Sequence, residues 1–163
     1  MPATPAEMFE RHHLAIYRYL LRMTGSRDTA EELTQDVFLR AIQKAGAYEE
    51  RSHERAWLFR IARNLRIDGV RRERRAPDVS SIADDEPSQS AQQALRLSLL
   101  EALAMVSDEE REAFVLAEVV GLSYAEIAGV CAATPAAIRS RIYRARMQLR
   151  AALDTPAVHR LVV

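Results

Sequence analysis

The chain has 163 residues, 48% apolar and 28% charged, with 23 basic side chains balanced by 23 acidic ones. That is globular composition, enough for one ordinary domain or two small ones; it excludes a disordered chain, and a lone Cys131 excludes an internal disulfide framework. No apolar run approaches the roughly 20 residues of a membrane helix, and MPATPAEMFE lacks the positive patch and apolar stretch of a secretory signal, so a cytoplasmic location without membrane insertion is expected.

Five glycines and six prolines, against abundant Ala, Leu, Arg and Glu, predict an all-α fold. Phe9, His13, Ile16, Tyr17 and Leu20 recur at helical spacing, as do Ala30, Leu33, Val37, Phe38 and Ala41. Thr24-Gly25-Ser26 breaks the chain between these two helices, and Gly46 ends the second. A third helix is expected from about His53 to Arg74, with Leu58, Ile61, Ala62 and Leu65 buried. Inside it Gly69 weakens the helix by about 1 kcal/mol relative to Ala and marks a bend.

The stretch from Ala76-Pro77-Asp78 through Pro87-Ser88-Gln89-Ser90 is polar, proline-marked and poor in large apolar groups, and reads as a flexible linker. A new helix starts near Ala91 and carries Leu95, Leu99, Ala102, Leu103 and Val106. Ser107 before Asp108-Glu109-Glu110 is a hydroxyl cap with carboxylates at the positive helix end. Ser123-Tyr124-Ala125-Glu126 is a capping box, and Thr134-Pro135 a cap followed by proline at the first helical position. A short helix, a three-residue turn and a longer basic helix make a helix-turn-helix. The expected fold is therefore two small helical domains joined by a flexible acidic linker: residues 1–76, linker 77–90, residues 91–155, and a tail 156–163.

The zero net charge hides a pattern. Residues 60–75 hold seven arginines against Asp68 and Glu73, residues 135–153 hold five arginines and no acid, and residues 76–95 hold four acids and no base. On a 100° wheel, Ile138, Ile142, Ala145, Leu149 and Leu153 face inward on the last helix, while Arg139, Ser140, Tyr143 and Arg144 lie opposite. Guanidiniums can grip guanine in bidentate fashion, a hydroxyl can meet a base edge or phosphate, and an aromatic can meet thymine methyls. Arg141, Arg146 and Arg150 flank this face and suit phosphates. The competing reading, arginines for solubility alone, does not account for a helix without a single acid. In the third helix Arg60, Arg63, Arg71 and Arg74 share one stripe, with Asn64 and Trp57 at its edge and Tyr48 just before it. Positive charge with an aromatic and an amide suits unstacked single strands, although Trp57 also fits the core.

Three segments resemble the extracytoplasmic-function sigma factors of bacterial transcription. Residues 30–38 (AEELTQDVF) are similar to the polymerase-binding helix of that family. Trp57-Leu58-Phe59-Arg60-Ile61-Ala62-Arg63-Asn64, with Ile67-Asp68 and Arg71-Arg72, is similar to its promoter-melting helix. Leu122-Ser123-Tyr124-Ala125-Glu126-Ile127-Ala128, with Arg139-Ser140-Arg141 and Arg144-Ala145-Arg146, is similar to its helix-turn-helix. The resemblance runs from about residue 7 to residue 153 in family order. It implies that Glu32, Gln35 and Asp36 dock on core RNA polymerase. It implies that the first domain opens the −10 element of promoter DNA, with a flipped base entering near Tyr48, Arg60 and Asn64 beside Arg63 and Arg71. The second domain would read the −35 duplex through Arg139, Ser140, Arg141, Tyr143 and Arg144. The acidic linker would thread the polymerase's positive interior, and an anti-sigma factor would hold the protein inactive. The recognition helix departs from the family by opening with Ala136-Ala137-Ile138 in place of Gly-Thr-Val.

A catalytic function is not expected, nor a cofactor or metal. His12 and His13 are adjacent and point about 100° apart, His53 and His159 lie in unrelated segments, and Cys131 reads as a small core residue. The rival readings are a stand-alone helix-turn-helix regulator, which leaves the first domain's motifs unused, and a sigma-like mimic, which leaves the arginines unused.

Overall fold

A computed structural model describes residues 3–45, 54–73 and 90–154. Tyr48, Arg74, Gly46, most of the acidic segment and the tail lie outside the described residues, as does the side chain of Arg71. Within them the fold is all-α: α1 (Pro5–Thr24), α2 (Arg27–Gln43), α3 (Glu54–Glu73), α4 (Ser90–Met105), α5 (Asp108–Val115), α6 (Tyr124–Cys131) and α7 (Pro135–Leu153).

The local stop and start signals act as their chemistry requires. Gly25 takes the left-handed conformation (φ 67°) and returns its N–H to the Leu21 carbonyl, ending α1, while the Ser26 hydroxyl accepts from Thr29 N–H to begin α2. Ser123 and Glu126 make both bonds of the capping box on α6, and Thr134 caps α7 at 3.1 Å from Ala137 N. Ser107 is the exception. It occupies the cap position of α5 without accepting from the backbone. After α5 the chain widens into a π-helical turn, Leu116–Val120, closed by Gly121 at φ 79°.

Two expectations about burial change. In α4 only Ala102 and Leu103 are buried, followed by Val106 just past its end, whereas Leu95 and Leu99 are 45% and 41% exposed. In α3 the buried surface is wider than a single apolar seam. Leu58, Ile61 and Ala62 are buried as expected and Leu65 only half-buried, while Phe59 and Arg66 are buried as well. The reason is that α3 packs on two sides, against α1 and α2 and also against α6 of the helix-turn-helix, while α1 packs on α5 and the π turn. The first three helices and the last four share one continuous core. Gly69 leaves α3 unbroken from Glu54 to Glu73.

Candidate nucleic-acid interface

On α7 the wheel is realised. Ile138, Ile142, Ala145 and Leu149 are buried, Leu153 is half-buried, and Arg139, Ser140, Arg144 and Tyr143 (64% exposed) stand outside. Arg141 is half-buried and pairs with Glu109 at 3.3 Å. Arg144 Nε lies 2.8 Å from Glu110, which also accepts from Gln148, and Arg146 pairs with Glu118. The acids that α7 lacks are thus supplied by α5 and the π turn. Hydrogen bonding from Arg144 holds the Glu110 carboxyl below the usual carboxylate range. Exposed pairs of this kind contribute only about 0–1 kcal/mol, so they can be exchanged for a phosphate or a base edge at little cost.

On α3 the geometry differs. Arg60 is exposed and donates to the Gly129 carbonyl of α6 at 3.3 Å. Arg63 Nε donates to the Glu112 carboxylate of α5 at 3.1 Å. One position further inward, Arg66 is 3% exposed; its Nη2 donates to Glu112 at 3.0 Å, its Nη1 to Asp108 at 3.0 Å, and its Nε to the Tyr19 hydroxyl at 3.4 Å. Tyr19 in turn donates to Glu112 at 2.8 Å. Glu112 is 1% exposed. A carboxylate has about four lone-pair sites, and here three groups from α1 and α3 address them.

The electrostatics follow from burial. Burial works against the charge on Arg66, but Tyr19, Glu112 and Asp108 outweigh it and hold its pKa above the ordinary value. Burial, then the Glu112 charge, raise Tyr19 and push the Cys131 thiol up to about 12.

Asn64 is exposed and lines a hollow of about 40 Å³ with Arg40, Lys44, Ile61, Leu65 and Asp68, between α2 and α3. Trp57 is half-buried against the core. On α2, Glu32, Gln35 and Asp36 are all exposed, opposite buried Thr34, Val37 and Phe38. His12 Nε2 is 2.8 Å from Glu54, and His13 stacks on Phe9.

Residues 8–76 match the family described as Sigma-70 region 2, and residues 96–149 match Sigma-70, region 4. The sequence is 32% identical to the ECF RNA polymerase sigma factor SigM of Bacillus subtilis, over 89% of this chain and 92% of that protein. The chain belongs to the extracytoplasmic-function (ECF) group of sigma-70 factors. Proteins of this group are transcription initiation factors that work with RNA polymerase. This sigma factor is also 34% identical to the ECF RNA polymerase sigma factor SigE of Mycolicibacterium smegmatis, over 88% of its own length but only 59% of that relative's. Its fold resembles the sigma factor RpoE of Bartonella quintana, solved in complex with the anti-sigma factor NepR, with a TM-score of 0.79, 29% identity, and 93% and 97% of the two chains covered.

The residues that sequence reasoning missed in this sigma factor are Arg66, Glu112, Tyr19 and Asp108, together with Arg40 and Lys44 beside Asn64. A signal for two of them was present. Arg66 follows Leu58 and Ala62 at intervals of four, and Glu112 precedes Leu116 by four, so each charge sits on an apolar row. Charged residues are almost never fully buried without a partner, so two such misplacements of opposite sign point to each other.

Proposed function

We propose that this chain binds core RNA polymerase and directs it to promoters, reading −35 duplex DNA and opening the −10 element. The reading rests above all on one observation: α7 buries Ile138, Ile142, Ala145 and Leu149 and leaves Arg139, Ser140, Tyr143 and Arg144 on the outer face of a helix-turn-helix. Arg141 joins them as a phosphate contact. Residues 1–76 form the polymerase-binding and melting unit, 77–90 the linker, 91–155 the −35 unit and 156–163 a tail. Glu32, Gln35 and Asp36 supply the docking face, which is exposed and continues into the exposed Leu39 one turn further on. Tyr48, Arg60, Arg63, Asn64 and Arg71 act on the opened strand, where the hollow between α2 and α3 offers an amide beside two cations. The protein acts without catalysis of its own, in the cytoplasm; among the described residues no helix is long and apolar enough to cross a membrane. An anti-sigma factor is a partner of this chain by extension from the NepR complex of its structural relative.

Run-off transcription tests the whole reading. Core enzyme supplied with this protein should yield transcripts with defined 5′ ends from a library of genomic fragments. A folded protein that adds no start sites to active core overturns it.

A further inference from the structure

Three features of the molecule are not used by that function: the Leu95, Leu99 and Met105 side chains of α4, the buried Cys131, and the buried cluster around Glu112. The third carries an inference. Arg63 and Arg66 converge from α3 on one carboxylate, and the Tyr19 hydroxyl from α1 joins them, so the first three helices present two guanidiniums and a hydroxyl around a single anionic position. That is the donor set of a phosphate site. The anion that fills it is a side chain of the second half of the molecule, 46 residues beyond Arg66.

We propose that the Glu112 carboxylate stands where a DNA backbone phosphate binds, so that closure of the two halves and capture of a single strand at α3 compete for Arg63 and Arg66. The proposal rests on the assignment of α3 to the opened strand. In the closed molecule Arg60 is also engaged, by the Gly129 carbonyl, so closure occupies three arginines of the same helix. When the halves part, Glu112 leaves with α5, and Arg66 becomes accessible to a strand lying along α3. The device is self-masking: the ligand mimic is removed by the same motion that separates the two DNA-binding halves to reach separated promoter elements. Minor conformers commonly hold about 0.1–10% of a population, and apparent affinity falls in proportion to that fraction.

The test uses the full chain as wild type, Glu112→Gln, Arg63→Ala, and the double variants Glu112→Gln/Arg63→Ala and Glu112→Gln/Arg66→Ala. Folding is confirmed by circular dichroism, size by small-angle scattering, and affinity by anisotropy with a short fluorescein-labelled single-stranded DNA. Glu112→Gln should enlarge the radius of gyration and tighten binding by about tenfold or more. Adding Arg66→Ala should then lose most of that gain. If Glu112→Gln changes neither size nor affinity, the competition does not exist. If it expands the chain but leaves affinity alone, or if Arg66→Ala costs nothing, Glu112 is not a phosphate mimic. Binding that ignores Arg63→Ala in both backgrounds instead overturns the assignment of α3 to the strand. Should Glu112→Gln fail to fold, Asp108→Asn, at the exposed end of the cluster, takes its place with the same expected directions.

Discussion

Two arginine-bearing helices in this molecule, α3 and α7, end in opposite situations. On α7 Arg139, Arg144 and Arg146 stand in solvent and Arg141 is half-buried, while of the acids that neutralise Arg141, Arg144 and Arg146, Glu109 and Glu118 are exposed and Glu110 is half-buried. On α3 one guanidinium is engulfed, and the carboxylate that holds it is equally dry. The same pair of side-chain types therefore does two jobs. Exposed pairs place the arginines of α7 and release them at small cost, whereas the buried pair fastens two halves of the molecule. What separates the cases is solvent, since removing water both strengthens the attraction and makes an unpaired charge costly.

The sharpest way to break this contrast is to remove one partner from each kind of pair. Glu112→Ala leaves two guanidiniums around an empty position and should destabilise the protein by about 3–5 kcal/mol in urea unfolding. Glu110→Ala, which strips the half-buried partner from the exposed Arg144, should cost less, about 1 kcal/mol, in the same measurement. Equal losses would erase the distinction between the two helices.

Function should divide the other way. Arg139→Ala and Arg144→Ala should each weaken −35 duplex binding by about 1–3 kcal/mol with little change in stability, read by anisotropy and by thermal melting.

That division also marks what was legible in the sequence. The caps at Ser123 and Thr134 and the inward face of α7 depend on residues three or four apart, and they stand where the pattern placed them. The Glu112 cluster joins residues separated by as many as 93 positions, and a wheel drawn for one helix assumes that only one face is covered. For α3 two faces are covered, so Arg63 reads as solvent-facing on the wheel while it is tied to α5 in the fold. Leu95 and Leu99 fail in the other direction, because helical spacing reports amphipathic form and not whether anything packs on it.

Alkaline titration sharpens the comparison on the buried side. The Cys131 thiol rises from 9.0 to about 12 in the fold, so above pH 9 the unfolded chain loses a proton that the native chain keeps. Stability from this group is fully present below pH 9 and declines from there to about pH 12, with Tyr19 shifting in the same direction. Unfolding midpoints measured across that range should fall, and they should fall less in Cys131→Ala. Native Cys131 should also resist iodoacetamide at neutral pH.

The smallest expected effect lies on α3 itself. A Cβ at Gly69 would meet nothing within 4 Å, so Gly69→Ala should add about 1 kcal/mol of stability through helix propensity alone. A loss in thermal melting would mean that α3 needs the conformational freedom of that glycine.

One contact ties the second half of the chain to the end of a helix in the first. Arg111 of α5 donates from Nη1 to the Met23 carbonyl at 3.2 Å, one of the terminal carbonyls of α1 that no later turn of the helix can satisfy, while its Nε is buried without a hydrogen-bond partner among the described residues. The last turn of α1 is thus finished by a side chain that arrives from across the molecule. If the halves separate, that carbonyl returns to water and the turn is free to fray. The exchange of its amide protons with deuterium then counts separations directly, and does so at native sequence, with no label and no substitution.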